Sequence, residues 1–275
     1  VGEVAGRASG ARLLSAAAIG EAEVLELFAD RIEIRHDGAF DVTTGSVTPT
    51  RSRRLGAIRL SSGPDPAPNH HAIELALLDG VREHGLDLLP WDERTRQLRH
   101  RASLAHRFDP AVPDLDDATL IERLDEWLAP LLSGKRRLGD TPSTAVASAL
   151  EQLLGYDISR NLDRLAPAEF TSPAGSRHAI DYSAEAGPTV EVRAQALFGL
   201  SQHPTIANGS VPLVIAITSP AGRPIQTTRD LPGFWAGSWR DDAKDMRGRY
   251  PKHPWPDDPA GAPPTLRTKR ASQRP

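Results

Sequence analysis

The sequence predicts an α+β protein in three parts: a β-rich part (1–62), a helical part (63–142) and a mixed part (143–275). In the first part, short apolar runs alternate with turn-forming dipeptides, which is typical of strands. In the second part, apolar residues recur every three or four positions, which is typical of helices. Strand-like runs return after residue 168. The final segment, 249–275, is rich in proline and basic residues, so we expect an extended basic tail.

The composition is that of a globular protein. Of the 275 residues, 39% are hydrophobic and 25% charged, which is too apolar for a disordered chain. No apolar run approaches the roughly 20 residues that span a bilayer, so no membrane partner is expected. The sequence has no cysteine, which excludes disulfides and thiolate sites and fits a cytoplasmic protein.

The β-rich part predicts a small barrel or a meander of short strands. We expect a short helix over residues 20–28. Strand-like runs follow at residues 32–34, 40–42 and 55–60. The dipeptides Asp37-Gly38 and Thr44-Gly45 are interpreted as the turns between them.

The middle part predicts a series of capped helices. Asn69 is a candidate N-cap, and Gly85 is expected to end the helix that it starts. An arginine-rich helix is expected over 92–107. Asp116 is expected to cap one continuous helix that reaches Leu131.

The last part predicts strands followed by one helix. Ser172-Pro-Ala-Gly175 recurs as Ser219-Pro-Ala-Gly222, which indicates two similar hairpin turns. A single helix is expected over 231–248, with Trp235 and Trp239 on the face that anchors it to the core.

Catalytic signatures are absent from the sequence. It contains no Gly-x4-Gly-Lys-Ser/Thr phosphate loop and no Gly-x-Ser-x-Gly elbow. His70 and His71 are adjacent and His100 and His106 are six apart, spacings that do not suit a shared metal ion. We therefore predict no catalytic and no metal-binding residue, and an independent hydrolase is the least favoured interpretation.

Three groups of basic residues are candidate phosphate contacts. The first is formed by Arg51, Arg53 and Arg54 with Arg59. The second lies on the helix 92–107. The third includes Arg247, Arg249 and Lys252. The alternative is that such arginines are solvated or pair with carboxylates, which for the second group would come from the acidic stretch 114–126.

Long stretches of the sequence resemble one family. They are SPAGRPIQTTRDLPGFWAGSW at 219–239, KDMRGRYPKHPWPDDP at 244–259 and LDRLAPAEFTSPAGSRHAIDYS at 162–183. These stretches resemble the C-terminal end of HrpB-type ATP-dependent RNA helicases, which are bacterial DExH-box proteins.

The resemblance implies an accessory region without its motor. Family members carry two RecA-like domains with the ATPase motifs upstream of this region, and none of those motifs occurs in this sequence. ATP and magnesium are therefore expected only in those helicase domains, and this chain alone is expected to be catalytically inactive. The resemblance also implies that residues 1–62 form an oligonucleotide-binding (OB-type) barrel or part of one. Residues 143–275 would be the HrpB-type C-terminal domain.

Two functions follow as expectations. In the first, this region binds single-stranded RNA or braces its own RecA-like domains. Arg51, Arg53 and Arg54 would be the foremost contacts, followed by Arg247, Arg249 and Lys252. In the second, the chain is a protein-docking or regulatory module without nucleic-acid contact, and the tail is its ligand. The surroundings of Trp255 distinguish them, because a docked tail would bury this side chain in a groove.

Overall fold

The computed structural model of the chain describes residues 2–5 and 12–268. The elements of the first half are β1 (Gly2–Ala5), β2 (Arg12–Ala16), α1 (Glu21–Leu27), β3 (Ile32–Asp41), β4 (Ser46–Leu55), β5 (Ile58–Pro64), α2 (His70–His84), α3 (Glu93–His106), α4 (Asp117–Glu122), α5 (Leu124–Trp127) and α6 (Ala129–Leu132). Those of the second half are α7 (Ser143–Leu154), α8 (Tyr156–Leu165), β6 (Glu169–Thr171), β7 (Arg177–Asp181), β8 (Thr189–Arg193), β9 (Thr205–Ile206), β10 (Val211–Pro212), β11 (Val214–Thr218), β12 (Pro224–Thr228), α9 (Leu231–Ala236) and α10 (Trp239–Arg249). The predicted α+β class is confirmed.

The chain divides into two compact units, each discontinuous in sequence. The first unit comprises residues 1–90 and 124–142, and the second comprises 91–123 and 143–275. The three-part division at residues 62 and 142 stays a prediction, because compactness does not by itself define a domain that folds alone.

An antiparallel sheet of three strands, in the order β3-β4-β5, is the centre of the first unit. We call this sheet the meander, one of the two arrangements predicted for residues 1–62. The other arrangement, a barrel, is not observed: the described strands of this unit close no barrel. β1 and β2 pair with each other in a separate hairpin, so they do not extend the meander, and the OB-type assignment stays an expectation.

The dipeptide Asp37-Gly38 is not a turn; this prediction was wrong. Both residues lie inside β3, where Gly38 is paired with Pro49. A Cβ atom on Gly38 would lie 2.6 Å from Val47 Cγ1 and 3.2 Å from Ala76 Cβ on α2. The glycine therefore permits the close approach of a helix to a strand rather than a reversal of the chain.

A second glycine, on the helix, also permits the close approach of α2 to the meander. A Cβ atom on Gly80 of α2 would lie 2.6 Å from Cγ of the Phe40 ring. We call the face of the meander that carries Gly38 and Phe40 the helix-covered face, and the opposite face the open face. Ile73, Leu77 and Val81, which were predicted to share one side of α2, are all buried.

Several predicted helix ends are confirmed. The Asn69 side chain accepts a hydrogen bond from His71 N (3.0 Å), and Gly85 ends α2 with a φ of +90°. Asp116 accepts from Thr119 N (2.8 Å) at the start of α4.

The helix expected from Asp116 to Leu131 is instead three short helices, α4 to α6. Pro130 lies in the first turn of α6, and because proline has no N–H, it ends the regular hydrogen bonding of the preceding helix. The segment that follows α6 adds to the meander, since Val47 N donates to Arg136 O at 2.9 Å.

A five-stranded sheet in the order β12-β11-β8-β7-β6 forms the second unit's core. β8 and β11 are parallel and the other pairs are antiparallel. The two predicted hairpin turns are confirmed and have the same geometry. Gly175 N donates to Ser172 O and Gly222 N to Ser219 O, each at 2.9 Å, and both glycines have a positive φ, +79° and +75°.

The single helix expected over 231–248 is two helices, α9 and α10. Gly237 ends α9 with φ −101° and ψ −106°, outside the helical region. The predicted anchoring role of Trp235 and Trp239 is confirmed: both are buried, and their ring centroids lie 5.0 Å apart in an edge-to-face arrangement.

We expect Gly80→Val to destabilise the first unit. The added side chain would overlap the Phe40 ring, and overpacking of this kind costs about 1–3 kcal/mol. Chemical denaturation measures the change. Gly139→Val is the control, because no atom lies within 4 Å of a Cβ atom at that position. Equal stability of the two variants would contradict the close approach of α2 to the meander.

Candidate nucleic-acid interface

The structure divides the first basic group between the two faces of the meander. Arg51, Arg53 and Arg54 lie on β4, and Arg59 lies on β5. Successive strand residues point to opposite faces, and β4 pairs with β3 without a break in register. Arg51 and Arg53 therefore share the helix-covered face, whereas Arg54 lies on the open face with its direct cross-strand partner Arg59.

Arg51 is partly built into the fold. It is half-buried, and its Nε atom has no hydrogen-bond partner. Next to it, His36 Nδ1 lies 2.5 Å from Asp65 Oδ2. This hydrogen bond is the main cause that lowers the pKa of Asp65, and the positive charge of Arg51 contributes.

The open face carries two charged residues that sequence reasoning missed. Arg35 NH2 lies 3.3 Å from Glu33 Oε2, and both side chains are more than half exposed. Glu33 is the cross-strand partner of Arg54. The alternation of Glu33 and Arg35 along one strand was the available signal. Among the described residues, no ion pair includes Arg53, Arg54 or Arg59.

Three arginines of the second basic group are paired with carboxylates. Arg94 pairs with Glu151 (2.9 Å) and Arg101 with Asp163 (2.5 Å). Arg99 pairs with Asp117 and lies over the Trp91 ring, which confirms, for this arginine, pairing with the acidic stretch 114–126. A cleft of about 650 Å³ lies among α3, α7 and α8. Among the described residues, its charged lining consists of the pairs Arg94–Glu151 and Arg101–Asp163, and these charges balance each other.

The three residues of the third basic group have different surroundings. Arg247 donates to Trp255 O from Nε (2.9 Å) and from a terminal nitrogen (2.7 Å), and it also pairs with Asp257. Arg249 pairs with Asp245, one helical turn away on α10, at 3.2 Å. Lys252 is exposed.

The segment after α10 lies against its own unit. Trp255 is only 4% exposed, and its ring centroid lies 5.8 Å from that of Trp239. Trp239 Nε1 donates to Pro256 O at 2.8 Å. Further along, Pro259 O accepts from Gly199 N at 3.0 Å. Residues 269–275, the end of the predicted extended tail, lie outside the described residues.

The described residues contain no cluster of three or more histidines and carboxylates arranged to hold a metal ion. Within the same residues, none of the helices has the length and apolarity needed to cross a bilayer.

Comparison with known proteins identifies the class. Residues 127–259 match the family model described as "HrpB_C: ATP-dependent helicase C-terminal". The chain thus contains a helicase C-terminal domain. This domain includes the five-stranded sheet, the packed rings of Trp235 and Trp239, and the docked segment around Trp255.

One curated relative is similar over nearly the whole chain. The chain is 38% identical over 264 residues to the ATP-dependent RNA helicase HrpB of Escherichia coli strain K12, an alignment that covers 95% of this chain and 33% of the relative. The chain is therefore similar to part of an HrpB helicase, and it spans about a third of the length of this relative.

Two solved structures have the same fold. A crystal structure of the E. coli DExH-box NTPase HrpB matches with a TM-score of 0.72 at 38% identity, covering 94% of this chain and 32% of that one. A crystal structure of the E. coli DEAH/RHA helicase HrpB matches with a TM-score of 0.63 at 36% identity, covering 82% of this chain and 29% of that one.

We expect Arg247→Ala to loosen the segment that carries Trp255. The variant loses two hydrogen bonds from a charged donor to Trp255 O, and bonds of this type contribute about 1.5–3 kcal/mol. Hydrogen exchange of the Trp255 indole N–H, which is bonded to Tyr250 O (3.1 Å), measures the loss.

Arg249→Ala is the matched control for this experiment. It removes the same charge two residues away, but breaks only an exposed pair within one helix, worth about 0.3–0.5 kcal/mol. Equal protection of the indole N–H in both variants would contradict the structural role of Arg247.

Proposed function

We propose that this chain is the accessory C-terminal region of an ATP-dependent RNA helicase, and that its meander holds single-stranded RNA. One observation carries the proposal. No carboxylate pairs with Arg53, Arg54 or Arg59 in the described structure, whereas the arginine-rich helix of the second unit has its main charges balanced. Arg53 and Arg59 are exposed and Arg54 is half-buried. Accessible cations without a carboxylate partner suit an external polyanion.

The proposed contact fits what a helicase needs from an accessory surface. Arginine binds phosphate oxygens with paired N–H donors, and such contacts give affinity without reading the base sequence. A motor that moves along RNA needs this kind of grip. The name of the E. coli relative supports RNA as the ligand.

The remaining predicted contacts are assigned a secondary role. Arg51 is half-buried, so it reaches a ligand less easily than Arg53 and Arg59, which are exposed. Arg247 has its donors occupied by Trp255 and Asp257, and Arg249 by Asp245. Lys252 is the most accessible member of the third group.

A second candidate function, bracing of the RecA-like domains, is favoured by the helix-covered face. Its outer end carries Ile34 and Ile58, which are 47% and 63% exposed. Ile34 is paired with Arg53, and Ile58 with Leu55, so the two isoleucines lie on the same face. Exposed apolar groups of this kind are typical of a contact with protein.

The location and the cofactors of the parent protein belong to the same proposal. We propose that ATP and magnesium bind only in the RecA-like domains of the parent, and that the parent works in the cytoplasm. The docking-module alternative is supported by the burial of Trp255 in its own unit, as a docked tail requires. It assigns no role to Arg53, Arg54 and Arg59 of the meander, which is why we favour the RNA-binding surface.

We expect the triple variant Arg53/Arg54/Arg59→Ala to weaken RNA binding. Each phosphate contact on a single strand contributes about 0.7 to the slope of log affinity against log salt. If each arginine neutralised its own phosphate, the slope would flatten by about 2; shared phosphates reduce this number. Fluorescence anisotropy with a labelled oligouridine, at several salt concentrations, measures both affinity and slope.

The control removes three exposed arginines of the second unit, as Arg94/Arg177/Arg223→Ala, and so changes the net charge equally. We expect this control to keep the salt slope of the unaltered chain. Unchanged binding by the meander variant would reject the meander as the RNA surface. If the unaltered chain binds no RNA at low salt, the proposed RNA binding is rejected, and bracing of the RecA-like domains is the remaining candidate function.

We expect the purified chain to hydrolyse no ATP, with or without RNA. The sequence has no phosphate-binding loop, and a nucleotide needs such a cradle for its phosphates. A steady-state phosphate-release assay checks this expectation, with an HrpB helicase that contains its RecA-like domains as the positive control. Turnover by the chain itself would overturn the proposal that it lacks the motor.

A further inference from the structure

We infer that Arg54 and Arg59 bind one and the same phosphate group, as a clamp on the open face of the meander. This inference rests on the proposed function and makes it specific: it names the two residues and the chemical group, a single phosphodiester of the RNA backbone. Arg51 and Arg53, on the other face, take no part in the clamp.

The pairing of the strands brings the two arginines together. Arg54 and Arg59 are direct partners across β4 and β5, a relation in which Cα atoms lie about 4.5–5.5 Å apart and side chains leave the same face. Two guanidinium groups at this separation can converge on the oxygens of one phosphate.

The bulge next to this pair fixes the arrangement. Arg53 is paired with Ser61, but the next residue, Arg54, is paired with Arg59, so β5 has one extra residue at this point. A bulge redirects a side chain locally. Without it, Arg54 would be paired with Leu60, and the two arginines would not be opposite each other.

The unliganded pair has an electrostatic cost. Like charges directly opposite each other on a sheet are destabilising, and no carboxylate within the described residues pairs with either arginine. The nearest candidate, Glu33, lies opposite Arg54 on β3, but its carboxylate is held by Arg35 at 3.3 Å. A bound phosphate would relieve the repulsion between the arginines.

The experiment compares single and double variants of the full chain. Arg54→Ala, Arg59→Ala and the double variant are titrated with a labelled oligouridine across salt concentrations. If the arginines share one phosphate, all three variants flatten the salt slope by the same amount, about 0.7. Each single variant weakens binding about ten-fold, and the double variant weakens it by less than the product of the two single effects.

Two further readouts separate a clamp from a structural role. Glu33→Gln removes the carboxylate opposite Arg54, so it is expected to strengthen binding. Without RNA, Arg59→Ala is expected to leave the melting temperature unchanged or to raise it, because the repulsion is lost. A lowered melting temperature in Arg59→Ala would assign this arginine to the fold and overturn the clamp.

The outcomes distinguish the clamp from the proposed function. Additive effects, with the slope of the double variant flattened by about 1.4, would mean two separate phosphates; the clamp would be wrong and the RNA surface would stand. No effect of these variants, with a loss of binding in Arg53→Ala, would move the RNA to the helix-covered face and overturn the clamp. Absence of RNA binding in the unaltered chain would overturn both.

Discussion

The close contact between α2 and β3 is the constraint on which the first unit depends. Gly38 on the strand and Gly80 on the helix each remove a Cβ atom that would clash, so the helix covers one face of the meander at short range. Because side chains alternate along a strand, this choice of face decides the surroundings of every charged residue on β4. Arg51 is directed to the helix-covered face and Arg54 to the open face, and each is half-buried there.

The arginines of this chain have three different kinds of surroundings, which are distinguished by the group that each arginine contacts. On α3 it pairs with carboxylates of its own unit, with Arg101 also donating to Ala166 O at 2.7 Å. At the end of α10, Arg247 holds a backbone carbonyl and so fixes the segment that follows. On the meander, Arg53, Arg54 and Arg59 have no ion-pair partner among the described residues, which favours a ligand from outside. Clusters that look alike in a sequence thus differ in their partners.

Local signals in the sequence predicted the elements well, but tertiary contacts decided the exceptions. The N-caps Asn69 and Asp116 and the two Ser-Pro-Ala-Gly turns depend only on nearby residues, and all four were predicted. Gly38 was misread as part of a turn, because the sequence does not show the helix that approaches it. The division of the arginines between two faces followed once the register of β4 was known. Their freedom from ion pairs could not be predicted, since it depends on where distant carboxylates lie.

The docked segment after α10 also determines how short the chain can be made. The carbonyl of Pro256 accepts a hydrogen bond from the Trp239 indole N–H, and the Trp255 ring packs against the Trp239 ring. A protein ending at Tyr250 would leave an unsatisfied N–H and a hydrophobic cavity open to water at the surface of the second unit. Recombinant fragments of this chain should therefore extend beyond Pro259, whose carbonyl accepts from Gly199 N, if they are to remain monodisperse.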